Sequence, residues 1–326
     1  MLITKNCLLR CSLVFVQSIF AVLILANPSI SVAHGLENNT HSLKPKVLPL
    51  GDGKVSPVPK QGYVMACNTN FRGGGAHRVG EWIGNGVWQP NLKPTVEGKQ
   101  TWINALISLN VEQGMRVIRA NNLPTHASGI YPINPQTLAY QYDRNPNSIR
   151  DQSIMLSLPA EPKLADKPSC VPMGMIGFAL SGAAIFNAFD AMGRDAAAYE
   201  IQDACNGHPE RSGQYHYHDW SPCLLNDAAG KAYAANEPVG WMLDGFPILG
   251  PVDEQGKVMS NADLDECHGR VGAVKIDGQL KEMYHYRFTF EYPYSLGCYK
   301  GTPVQMSRQI PRSAPPPRSP QQPRSQ

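Results

Sequence analysis

Tyr215-His216-Tyr217-His218 is the stretch on which the fold and chemistry of this chain turn, and Tyr284-His285-Tyr286 repeats its first three residues. Side chains alternate faces along a strand, so an extended segment points His216 and His218 one way and Tyr215 and Tyr217 the other. At a rise of about 3.3 Å per residue the two histidine Cα atoms lie roughly 6.6 Å apart. Two imidazoles can close that gap around one metal ion, with metal–nitrogen bonds of about 2.0–2.1 Å. A helix would separate them, because positions i and i+2 do not face each other there.

Composition sets the surroundings. Charged residues make up only 17% of the 326 residues, while Gly (29) and Pro (28) are abundant, which predicts a turn-rich, mainly β protein. Net charge is +3 and much of it sits in the Arg-bearing C-terminal tail, so no nucleic-acid footprint is expected. Residues 1–33 read as a signal peptide: Lys5 and Arg10 precede the apolar run Ser12–Ala26, and Ser31-Val32-Ala33 offers small residues for cleavage. That run is too short and interrupted to span a membrane, and no membrane contact is expected beyond it. Residues 34–60 read as an extended leader, 61–302 as a β-rich domain, and 303–326 as a disordered Pro/Arg-rich tail. A secreted or periplasmic location follows.

Six cysteines remain outside the signal segment, an even number suited to an oxidising compartment. Cys205–Cys223 and Cys267–Cys298 are the expected pairs because each brackets one Tyr-His-Tyr strand, leaving Cys67–Cys170 by elimination. Strands are predicted at Val87-Trp88, Arg116–Arg119, Ser153–Leu156, Phe178–Leu180, Phe246–Ile248 and Tyr284–Phe290, and helices at Thr101–Leu109 and Ala188–Tyr199. An internal duplication is visible. Ala184–Asn187, Asp203-Ala204-Cys205-Asn206-Gly207, Tyr215-His216-Tyr217 and Cys223 are echoed in order by Gly245–Ile248, Asp265-Glu266-Cys267-His268-Gly269, Tyr284-His285-Tyr286 and Cys298. Two half-units with adjacent histidine strands are the expectation.

His216 and His218 are the primary metal-ligand candidates; His208 could fold back over the strand and His285 could arrive from the second half-unit. His126, in a loop, is also eligible. Asp203, Asp244, Asp265 and Glu266 are candidates for orienting the imidazoles through their second nitrogen. Three histidines with an open position suit copper or zinc. Gly73-Gly74-Gly75 lacks the Gly-Lys-Ser/Thr of a phosphate loop, and no Gly-x-Ser-x-Gly elbow is present.

The motifs Leu123-Pro124-Thr125-His126, Asn145-Pro146-Asn147, Asn206-Gly207-His208-Pro209, Tyr215–His218, Leu243–Ile248 and Leu264-Asp265-Glu266-Cys267 together resemble the YHYH-domain family over most of Gly62–Gly301. The resemblance implies an exported, largely β protein and supplies no mechanism. The second Tyr-His-Tyr departs from the tetrapeptide, being followed by Arg287. The leading functional expectation is an exported metal-binding protein, with the metal ion as partner. If catalytic, it would act at an open coordination position. The alternative is a metal-free secreted recognition or structural module that binds a cell-surface or extracellular polymer.

Overall fold

Short strands joined by left-handed turns carry the architecture of the described residues. The computed structural model describes residues 44–71, 73–227 and 229–305. The expected signal peptide and nearly all of the Pro/Arg-rich tail lie outside the described residues. The early strands are β1 (Leu48–Pro49), β2 (Val55–Ser56), β3 (Val64–Met65), β4 (Ile83–Gly84), β5 (Val87–Trp88), β6 (Ile107–Glu112), β7 (Met115–Ala120) and β8 (Ile154–Pro159). They form small sheets ordered β1-β5-β4, β2-β3 and β6-β7-β8. The described part of the stretch 34–60 contributes β1 and β2, both paired to the body: Leu48 faces Trp88 and Val55 faces Val64.

The later strands build one eight-stranded sheet: β9 (Met175–Ala179), β10 (Ala184–Phe186), β11 (Gly207–Pro209), β12 (Tyr215–Tyr217), β13 (Gly240–Met242), β14 (Pro247–Leu249), β15 (Gly269–Ile276) and β16 (Gln279–Arg287). Its order is β11-β12-β10-β9-β13-β14-β16-β15. The duplication is therefore physical. In each half an antiparallel hairpin (β9–β10, β13–β14) pairs in parallel with a Tyr-His-Tyr strand (β10–β12, β14–β16), which pairs antiparallel with the strand before it. The halves meet at the antiparallel seam between β9 and β13, where Phe178 faces Trp241. The expectation that the histidine strands are adjacent is overturned. Four strands separate β12 from β16, and five spacings of about 4.8 Å place them roughly 24 Å apart.

Most of these strands are buried on both faces, so apolar residues run without alternation, as in Ile176-Gly177-Phe178-Ala179. The tyrosines of both repeats enter the core with their hydroxyls satisfied. Tyr215 donates to Asp203 at 2.9 Å, Tyr284 to Asp265 at 3.1 Å and Tyr286 to Asp244 at 2.6 Å. All three expected disulfides are present: Cys67–Cys170, Cys205–Cys223 and Cys267–Cys298.

The predicted strands at Val87-Trp88 and Arg116–Arg119 fall within observed strands. Those at Ser153–Leu156, Phe178–Leu180, Phe246–Ile248 and Tyr284–Phe290 overlap them. Both helix expectations need correction. In 101–109 the regular part is β6, where Ile107, Leu109 and Val111 alternate with polar residues and a Gln113-Gly114 turn with two positive φ values (51° and 77°) closes a hairpin on β7. In 188–199 helix is confined to α1 (Ala196–Tyr199), capped by Asp195, because Asp190 first folds the chain by accepting the N–H groups of Met192 and Arg194.

Gly207 and Gly269 occupy the same place in the two half-units, and each lies under a tyrosine. A Cβ on Gly207 would stand 2.2 Å from the Tyr215 ring, and one on Gly269 2.3 Å from the Tyr284 hydroxyl. Because Tyr215 is fully buried, Gly207→Ala is expected to destabilise the protein by about 1–3 kcal/mol through overpacking. Urea unfolding tests this, and an unchanged midpoint would contradict the packing described.

Candidate metal centre

Three neighbouring strands assemble the site. His208 lies on β11 directly opposite His216 on β12, and His218 follows β12 where it runs beside β10. The side-chain nitrogens of His208, His216 and His218 lie within 4.8 Å of one another. All three residues are at most 4% exposed. Phe186 stacks on the His216 ring with centroids 3.8 Å apart, forming an apolar wall.

The backbone sets the protonation pattern. His216 Nδ1 lies 3.0 Å from the Gln214 carbonyl and His218 Nδ1 2.5 Å from the Asn187 carbonyl. A carbonyl only accepts, so both Nδ1 atoms carry the proton and both Nε2 atoms of the neutral rings present lone pairs. Those two Nε2 atoms face each other at 3.1 Å. Two lone pairs at that distance repel unless a cation or a proton lies between them. The backbone carbonyls thus do the orienting work expected of carboxylates. Asp203 and Asp265 instead bind Tyr215, Tyr284 and turn N–H groups, Asp244 binds Tyr286, and Glu266 pairs with Lys300.

Glu200, one residue after α1, completes the cluster. Its Oε2 stands 3.2 Å from His218 Nε2 and 3.4 Å from His208 Nε2. Neither ring nitrogen of His208 has a hydrogen-bond partner, nor does Glu200 Oε2. Burial, joined by the neighbouring imidazoles, pulls His208 and His216 well below the ordinary histidine range. Burial also acts downward on His218, but the Glu200 carboxylate 3.2 Å from its Nε2 outweighs it and leaves His218 raised. The cluster opens onto a cavity of about 530 Å³ whose walls include Gly74, Asn145, Asn147, Phe189 and Arg211.

His285 does not join. It lies in the other half-unit, with Nδ1 3.3 Å from the Met283 carbonyl. His126 is also elsewhere, bonded to the Tyr217 hydroxyl at 2.5 Å and to the Ala127 carbonyl at 2.9 Å. Cys205 and Cys223 lie near it, but their sulfurs are joined in a disulfide and offer no thiolate. Glu200 is the residue that sequence reasoning missed. Its one local signal is a lone carboxylate within the otherwise apolar run Ala196–Ile201.

A disulfide-stapled β protein with a buried three-histidine cluster is the class that this fold and site define. The family model described as YHYH protein matches residues 155–256, which hold His208, His216, His218 and Glu200. The chain thus carries a YHYH-family domain. No curated protein and no solved structure matches the chain. No helix among the described residues is long and apolar enough to cross a membrane.

The tautomer assignment is directly testable. In metal-free protein at pH 8, nitrogen NMR of labelled imidazoles is expected to show His216 and His218 protonated at Nδ1 and bare at Nε2. A proton resident on Nε2 of both rings would contradict the carbonyl-directed arrangement.

Proposed function

We propose that the protein is an exported metal-binding protein whose ion is held by His208, His216 and His218, with Glu200 as a fourth ligand. The observation that carries this reading is the pair of Nε2 lone pairs directed at each other across 3.1 Å. Four ligand atoms around a tetrahedral ion with bonds of about 2.0–2.1 Å lie roughly 3.3–3.4 Å from one another. Three of the six spacings lie close to that value: His216 to His218 at 3.1 Å, His218 to Glu200 at 3.2 Å and His208 to Glu200 at 3.4 Å. Three imidazoles and one carboxylate suit zinc or copper. The two carbonyl-bonded Nδ1 atoms supply the outer support that metal-bound histidines ordinarily have. Three disulfides accord with an oxidising compartment.

A second reading rests on the Glu200–His218 contact. A proton in place of a metal also relieves the facing lone pairs, making the cluster an acid–base relay on the cavity wall. Elemental analysis of protein purified from the periplasm or medium separates the two. Stoichiometric zinc or copper in the wild type, lost in the folded His216→Ala/His218→Ala variant, supports the metal site. Metal-free, folded wild type that takes up neither ion overturns it. Glu200→Gln is expected to weaken the ion by about 10–100-fold. Stripping the ion from protein held at 100 times its Kd should lower stability by about 2.7 kcal/mol. Calorimetry with and without chelator measures that loss, and an unchanged unfolding temperature contradicts it.

A further inference from the structure

The second half-unit contains a counterpart of the three-histidine cluster with different chemistry. Strand register equates Tyr217 with Tyr286, both facing the glycine of the preceding strand, and hence His216 with His285 and His218 with Arg287. Arg270 stands opposite His285 as His208 stands opposite His216. The backbone contacts are copied too. His285 Nδ1 meets the carbonyl two residues before it, as His216 does. Arg287 Nη1 donates to the Gly250 and Val252 carbonyls at 3.0 and 2.9 Å, beside β14, as His218 bonds Asn187 beside β10.

What remains unsatisfied is informative. The Arg287 side chain is 0% exposed, yet its Nε and Nη2 have no hydrogen-bond partner, and neither do Arg270 Nε or His285 Nε2. Nε and Nη2 form one edge of a guanidinium, two parallel N–H donors that match two oxygens of an oxyanion. The nearest carboxylate is Glu254, 3.7 Å from Nη2 of both Arg287 and Arg270. Charge-assisted bonds to a guanidinium run at about 2.7–2.9 Å, so Glu254 neutralises this edge without bonding it. Its side chain is 31% exposed, in the turn that the Gly256 N–H closes on the Asp253 carbonyl. Gly272 leaves the neighbouring face bare: a Cβ there would sit 3.2 Å from His285 Cε1 and 4.0 Å from Arg270 Nε.

The geometry points to a second binding site, at Arg287, Arg270 and His285, for the phosphate group of a small or macromolecular ligand, which takes the place of the Glu254 carboxylate. Phosphate is preferred to a carboxylate because His285, protonated at Nδ1, offers a lone pair at Nε2. Hydrogen phosphate brings an O–H to meet it, and a carboxylate at neutral pH brings none. The site is independent of the metal reading and stands or falls separately.

Isothermal titration of chelator-treated full-length protein with inorganic phosphate tests it, with acetate and chloride at matched ionic strength as the other arms. Wild type is expected to bind phosphate in preference to acetate. Glu254→Gln should tighten binding several-fold, and Arg270→Gln, at a partly exposed position, should weaken it at least tenfold. No phosphate binding by the wild type overturns the proposal, as does acetate binding that matches phosphate. Binding seen solely in Glu254→Gln also overturns it, making Glu254 a fixed internal counter-ion. Should Arg270→Gln fail to fold by circular dichroism, the wild-type and Glu254→Gln titrations still decide.

Discussion

Two backbone carbonyls, those of Gln214 and Asn187, set the constraint from which the account of this site follows. By accepting hydrogen bonds from the Nδ1–H groups of His216 and His218 they leave two lone pairs aimed at each other. Burying neutral imidazoles without partners is costly, and His208 adds a third ring with both nitrogens unpaired. Ladder pairing of β11 with β12 sets His208 directly against His216. A shared cation converts the mutual repulsion into a common attraction, and Glu200 at the edge offsets part of its charge.

The duplication shows what belongs to the scaffold and what belongs to the site. Both halves keep the tyrosine-to-aspartate bonds, the glycine beneath the ring, the bracketing disulfide and the imidazole bonded to the carbonyl two residues back. Those features hold the strands together regardless of function. The positions that differ, His208 against Arg270 and His218 against Arg287, are the ones that face the clusters. One scaffold therefore presents lone pairs in its first half and N–H donors in its second.

Much of this was legible in the residues. Alternation in Tyr215–His218 puts both imidazoles on one face, and cysteines bracketing each repeat suffice to pair them. The order of short motifs reveals the two half-units. How those halves join was not legible, because the seam lies between β9 and β13, whose apolar residues carry no register signal. Distance along the sheet then removes His285 from the cluster. The carboxylate partner was equally hidden: Glu200 arrives through a turn built by Asp190, a long-range placement with no local periodicity. The segment 101–109 reads as helix until the positive-φ pair Gln113-Gly114 is weighed as a hairpin closure.

Anomalous diffraction at the zinc and copper absorption edges, from crystals of protein purified without added chelator, tests the central claim most directly. The account predicts one strong peak within about 2.0–2.2 Å of Nε2 of both His216 and His218, with Glu200 and His208 turned toward it. A featureless map between those two nitrogens, in protein whose rings keep the same orientation, would contradict it.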